Sequence, residues 1–141
     1  MKVLIYTDGA SRGNPGAASV GVVIEAEGIK KEYCEAIGKQ TNNVAEYSAV
    51  IFGLKKAKLL FGKTKAKTLE ILVKADSKLI VEQLSGNFKL KNEQIQKLFI
   101  EAWNLRLDFK KVEFKYIPRE QNKDADRLAN EALDGLNKKL F

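Results

Sequence analysis

Histidine is absent from all 141 residues of the chain. That excludes zinc sites built on imidazole, Ser-His-Asp triads and any histidine general base. The single cysteine, Cys34, has no partner for an internal disulfide and alone makes no metal site. It is expected to be a small buried or half-buried thiol. No apolar run approaches membrane-spanning length, and Val3–Tyr6 is too short for the core of a signal peptide. No repeat, low-complexity tract or Pro/Gly-rich linker divides the chain. What remains is ordinary globular composition, 45% hydrophobic and 30% charged, with length enough for one core. These features predict a single cytoplasmic domain over residues 1–141, with no membrane association. Any catalysis must come from carboxylates, lysines, hydroxyls or a bound metal. The net charge of +7 favours a polyanionic partner such as nucleic acid.

The chain reads as alternating strands and helices. Residues 2–8 form a short apolar strand, followed by a turn-rich loop from Gly9 to Gly16 with Asn14-Pro15-Gly16 as its strongest punctuation. Strands at 18–26 and 29–38 flank a tight turn at Glu27-Gly28. A helix covers 43–61, with Thr41, Asn42 and Asn43 as cap candidates and Gly62 closing it. A strand at 68–75, a short helix at 77–84, a helix at 93–107, a strand at 112–117 and a helix from Asn122 to about Leu136 complete the chain. An antiparallel meander followed by crossover units predicts an α/β fold, a mixed sheet with helices on its faces.

Two carboxylates stand at matching places in this pattern. Asp8 closes the strand 2–8 and Asp76 follows the strand 68–75. As parallel neighbours these strands would carry both acids to the carboxyl edge of the sheet, where open α/β sheets bind ligands. Taken singly, a strand-ending Asp more often starts a turn, and Asp76 before Ser77 also reads as an N-cap. Glu46 lies in line with Ala49, Val50, Gly53 and Ala57, on a helix that is apolar on nearly every side. A buried, unpaired carboxylate is costly, and a metal ion or basic partner would remove that cost. The plainer reading is an acid in a first helical turn, where the helix dipole favours it. Asp126 borders the apolar stripe of Ala125, Leu128, Ala129, Ala132, Leu133 and Leu136. Asp124 projects beyond the opposite border, so Asp126 is the better candidate to point along the sheet edge.

These acids sit in short blocks: Tyr6-Thr7-Asp8-Gly9-Ala10-Ser11, Gly13-Asn14-Pro15-Gly16, Thr41-Asn42-Asn43-Val44-Ala45-Glu46, Asp76-Ser77, and Asn122-Lys123-Asp124-Ala125-Asp126-Arg127-Leu128-Ala129. In their order, and across almost the whole chain, the blocks resemble the signature of type 1 ribonucleases H. The resemblance implies a ribonuclease H-like fold, a five-stranded mixed sheet flanked by helices. It implies that Asp8, Glu46, Asp76 and Asp126 are catalytic and hold two Mg²⁺ or Mn²⁺ ions across a scissile phosphate. One ion would activate a water for in-line attack, and the other would stabilise the leaving 3′ oxygen. The implied activity is hydrolysis of the RNA strand of RNA–DNA hybrids, leaving 5′-phosphate and 3′-hydroxyl ends, by a monomer. A metal-bound water needs no strong protein base, so the missing histidine does not defeat the chemistry.

Other matching positions imply substrate contacts. Asn14, Asn42 and Asn43 fall where the family meets the hybrid's minor groove, and amides there can read 2′-hydroxyls. Capping remains the alternative role of Asn42 and Asn43. Gly9 and Gly13 would let backbone approach the RNA, and ordinary turn chemistry is their alternative. Ser11, Ser77 and Asn122 belong to the same matching blocks. Many relatives carry a histidine on a loop before the last acid. Here Tyr116-Ile117-Pro118-Arg119-Glu120-Gln121-Asn122 replaces it, with Arg119 or Glu120 as the candidates for part of its role. A basic protrusion found in some members is also missing. Lys89 and Lys91 are its nearest phosphate-binding candidates, with Phe88 beside them. Trp103, near Leu98, Phe99 and Leu107, is expected to pack in the core. No accessory hybrid-binding domain is expected before Asp8. The alternatives are a same-fold nuclease that also cuts double-stranded RNA, and a catalytically silent nucleic-acid-binding module.

Overall fold

The computed structural model describes residues 1–139, with side chains through residue 135. Three antiparallel strands, β1 (Lys2–Gly13), β2 (Gly16–Ala26) and β3 (Ile29–Gln40), form the meander. Strands β4 (Glu70–Ala75) and β5 (Lys111–Tyr116) add in parallel, giving the order β3-β2-β1-β4-β5. The helices are α1 (Asn42–Phe61), α2 (Lys63–Ala66), α3 (Lys78–Leu84), α4 (Glu93–Arg106) and α5 (Lys123–Lys139). The expected five-stranded mixed α/β sheet is therefore present. The four-residue α2 and a 3₁₀ turn at Arg119–Gln121 add to the predicted elements.

Alternation along the strands decides which helix covers which face. Val3, Ile5, Val22, Ile24 and Val73 are buried with Val50 and Leu54 of α1 in the main core. Ser19, Gly21 and Val23 turn to the other face. There the Ser19 hydroxyl donates to the Ala129 carbonyl of α5 at 2.5 Å. Strand β2 is thus covered on both sides, which explains its unbroken small and apolar run from Ala18 to Ile24.

Gly21 sets how closely α5 approaches. A Cβ there would stand 2.2 Å from the Ala125 carbonyl oxygen and 2.6 Å from the Ala129 nitrogen. Backbone cannot yield as a flexible side chain can, so Gly21→Ala is expected to lower stability by about 3 kcal/mol. Thermal unfolding beside the unaltered chain checks this, and an unchanged midpoint would show that α5 is not seated on β2 in this way.

Several sequence expectations change. Residues 9–13 are strand, not loop: β1 continues past Asp8 to Gly13, pairing with β2 from Gly9↔Val20 to Gly13↔Gly16. Asp8 therefore lies within a strand. The parallel pairing of β1 with β4 nevertheless ends at Thr7↔Ala75, so Asp8 and Asp76 still mark the carboxyl edge of that part of the sheet. Cys34 is exposed because it lies on the edge strand β3. Trp103 is not a core residue. The inward line of α4 is Ile95, Leu98 and Ala102, which leaves Trp103 44% exposed. It stacks on Phe99 and lies 3.3 Å under the Arg106 guanidinium. The Leu136 side chain lies outside the described residues.

Candidate active site

A close backbone contact, helix caps and one buried amide place the four acids. At Gly9, β1 touches the first turn of α1. A Cβ there would stand 2.2 Å from the Ala45 carbonyl carbon and 2.4 Å from the Glu46 nitrogen. Only a glycine allows this approach, and it sets Glu46 beside Asp8. Helix α1 starts at that point because the Thr41 hydroxyl accepts from the Val44 N–H. The N-cap is thus Thr41, which leaves Asn42 and Asn43 with exposed side chains. Asp76 follows β4, and the adjacent Ser77, not Asp76, caps α3 by accepting from the Ile80 N–H. Asp126 lies in the first turn of α5. Asn122, immediately before that helix, donates from Nδ2 to the Thr7 carbonyl at 2.9 Å and to Asp76 Oδ2 at 3.3 Å. One buried amide thereby ties α5 to β1 and steadies Asp76. Asn122 was expected to touch substrate, but it is 1% exposed, and its amide is engaged by Thr7 and Asp76 instead.

The acids line one open cleft of about 450 Å³ together with Gly9, Ala10, Ser11, Arg12, Asn42, Arg119 and Asn130. Their charges oppose one another. Burial, the negative charge of Asp76, a hydrogen bond with Asp126, and the charges of Asp126 and Glu46 push Asp8 up to about 8. Burial also raises Glu46, and Asp76 adds to that, while a hydrogen bond from Ser77 works against it. Among the described residues, the one ion pair made to these four acids is from Arg119, 3.9 Å from Asp126 but 82% exposed, where screening leaves it little force. The site is thus an all-oxygen donor set with uncompensated negative charge, which suits hard divalent cations. Among the described residues, no three His, Cys, Asp or Glu side chains already stand close enough together to hold a metal ion by themselves.

A second groove of about 340 Å³ begins at Asn42 and is lined by Asn14, Thr41, Asn43, Asn92, Gln94 and Ile95. Asn14 Oδ1 accepts from the Asn42 N–H at 3.2 Å, joining the hairpin tip to the start of α1. Asn92 and Gln94 were not legible as site residues. Asn92 caps α4 through the Ile95 N–H, a signal indistinguishable in sequence from ordinary capping.

The other expected residues take different places. Ser77 lies beneath Asp8 and Glu46, and Gly13 turns the hairpin with φ 123°. Lys89 and Lys91 are exposed on the α3–α4 connection and line neither groove. Glu120 faces a separate cleft with Tyr6, Val23 and Glu25 that holds none of the four acids, whereas Arg119 does reach them. Of these two residues, Arg119 alone lines the cleft that holds the four acids.

Comparison with known proteins agrees with this arrangement. The family described as "Reverse transcriptase-like" matches residues 6–132. A "Bifunctional protein" of Mycobacterium tuberculosis is 45% identical over 137 residues, covering 95% of this chain and 36% of the relative. A "Ribonuclease HI" of Halobacterium salinarum is 40% identical, covering 94% of this chain and 65% of the relative. The chain thus spans about a third of the mycobacterial relative and just under two thirds of the halobacterial one. Among solved structures, LC11-RNase H1 in complex with an RNA/DNA hybrid superposes with a TM-score of 0.89 at 41% identity, over 95% of this chain and 98% of that one.

Proposed function

Because the chain belongs to the type 1 ribonuclease H family, we propose that it is an endoribonuclease that hydrolyses the RNA strand of RNA–DNA hybrids. The observation that carries this reading is the meeting of Asp8, Glu46, Asp76 and Asp126, from four separate elements, in one cleft that continues into an amide-lined groove. When bound, two Mg²⁺ or Mn²⁺ ions supply an activated water and stabilisation of the leaving 3′ oxygen, so products end in 5′-phosphate and 3′-hydroxyl. The chain's own part is positional. Asp8, Glu46, Asp76 and Asp126 hold the ions, and Asn122 fixes the Asp76 carboxylate. Arg119 adds a cation at the mouth of the cleft. All four acids come from one chain, which supports a monomer acting as one domain over residues 1–141.

Asn14, Asn42, Asn43, Asn92 and Gln94 present donors and acceptors suited to 2′-hydroxyls and base edges in a shallow minor groove. Asn43→Ala is expected to weaken hybrid binding about 10-fold, the value of a well-made polar contact, while duplex DNA binding changes little. Titration of both duplexes by fluorescence anisotropy checks this, and equal loss on both would make Asn43 a structural residue only.

The α3–α4 connection carries only Lys89 and Lys91 where a larger basic grip would discriminate for a DNA strand. This favours double-stranded RNA as a second substrate. A panel of end-labelled hybrid, double-stranded RNA, single-stranded RNA and duplex DNA tests the function. Cutting confined to RNA strands within duplexes supports it. Binding of the hybrid without cutting any substrate would make the chain a silent binding module.

A further inference from the structure

Beyond the four acids, β1 and α5 share a second polar line. Asp8, Ala10 and Arg12 lie on one face of β1 at strand spacing, a run of roughly 13 Å. Asp126, Asn130 and Asp134 lie on one line of α5 at i, i+4 and i+8, a run of roughly 12 Å. The two lines match in length and meet at both ends. Asp8 and Asp126 line the same cleft at one end, and Arg12 Nη2 donates to Asp134 Oδ1 at 2.7 Å at the other. In the middle, Asn130 Nδ2 donates to the Asp126 carbonyl of its own helix and borders the same cleft.

Arg12 is held as a binding group should be held. It sits on paired strand opposite Ala17, not on a free loop. The neighbouring Ser11 hydroxyl donates to the Gln40 carbonyl of β3 at 2.8 Å, fixing the ribbon on its far side. The Asp134 contact uses one terminal nitrogen, and among the described residues no other hydrogen bond engages the guanidinium. Its remaining N–H groups are free to meet a second anion. Arginine can hold a carboxylate with one edge and a phosphate with the other because its donors are fixed in a planar fork.

Resting on the hybrid-cleaving reading, we infer that Arg12, held by Asp134, is a specificity and affinity residue that binds a non-scissile backbone phosphate of the cut strand. Ions held at Asp8 and Asp126 would serve the scissile phosphate. Arg12 lies four residues along β1 from Asp8, roughly 13 Å at strand spacing, and a duplex strand advances 3.4 Å per nucleotide along its axis. The phosphate it meets is therefore about two to four nucleotides from the cut. Asp134 is a positioning residue: it keeps the guanidinium extended along the cleft.

The test measures hybrid binding by Asp76→Asn, which bears the whole cleft but is not expected to cut, with and without Arg12→Ala. Hybrids carrying a single neutral methylphosphonate at successive positions of the RNA strand serve as probes. Without Arg12→Ala, one substitution two to four nucleotides from the cut is expected to weaken binding about 10-fold. With Arg12→Ala, affinity for the unmodified hybrid falls by the same factor and that position becomes silent. The slope of log K against log salt also shallows by about 0.9. Arg12→Lys keeps the slope and regains part of the affinity, and Asp134→Asn weakens binding without changing the slope. If Arg12→Ala and Arg12→Lys both leave the methylphosphonate profile and the slope unchanged, Arg12 is only a surface tie between β1 and α5 and the inference falls. If the Asp76→Asn chain itself binds the hybrid no better than duplex DNA, it is the hybrid-cleaving reading that fails instead.

Discussion

Asp76→Asn abolishes cleavage, by about a thousandfold or more, and leaves the chain folded. The loss follows from removing one anionic ligand from an electrostatic site worth several kcal/mol to the transition state. The retained fold follows from shape and hydrogen bonding. The new amide occupies the same volume, and its oxygen can still accept from Asn122 Nδ2, as Asp76 Oδ2 does at 3.3 Å. The change also removes the largest charged neighbour that opposes ionisation of Asp8, so the metal-free variant is expected to melt no lower than the unaltered chain. Single-turnover cleavage and thermal melting together check this. Cleavage near the unaltered rate would remove Asp76 from the metal site, and loss of folding would make its role structural.

The second large effect is on stability and depends on pH. Asp8 takes up its proton at about 8 in the folded chain, against an ordinary 3.8. Between those values the folded state holds more protons than the unfolded one, so the penalty for this carboxyl grows as pH rises through the window and is absent below it. Asp8→Asn removes that penalty. The metal-free variant should melt above the unaltered chain by several degrees at pH 8 and by much less at pH 5. Saturating Mg²⁺ should narrow the gap at pH 8, because the ion stabilises the chain that retains its ligand. Melting curves across pH 5 to 8, with Mg²⁺ and with chelator, check both parts. A gap that does not vary with pH would mean that burial and the neighbouring carboxylates do not oppose ionisation of Asp8.

The acids were legible for different reasons, and so were the gaps. Asp8 and Asp76 could be paired because two short apolar runs end beside them, and although β1 itself continues to Gly13, its parallel pairing with β4 stops there, at Thr7↔Ala75. Glu46 stood out as a carboxylate in a line of small residues. Gly9 supplies the physical cause, since it lets β1 touch the turn that carries Glu46. Residues 9–13 were read as loop because glycine, serine and arginine around an Asn-Pro-Gly turn carry no strand pattern. Their pairing partners lie beyond the turn in β2, and only that longer-range pairing makes them strand. Trp103 misled because an aromatic residue at helical spacing reads as core, while the inward line of α4 passes one position away through Ala102. Asn122 looked like an exposed member of a motif, yet its neighbours in space, Thr7 and Asp76, are 115 and 46 residues distant in sequence. Asn92 and Gln94 join the amide groove only because α4 starts beside α1.

The most direct measurement is cleavage of an RNA–DNA hybrid labelled separately on each strand, in chelator and then with added Mg²⁺ or Mn²⁺. Cutting that appears only with the metal, falls only on the RNA strand and leaves 3′-hydroxyl ends is the predicted result. Cutting that persists in chelator, or that falls on the DNA strand, would contradict the assignment of Asp8, Glu46, Asp76 and Asp126 as the ligands of a hybrid-specific metal site.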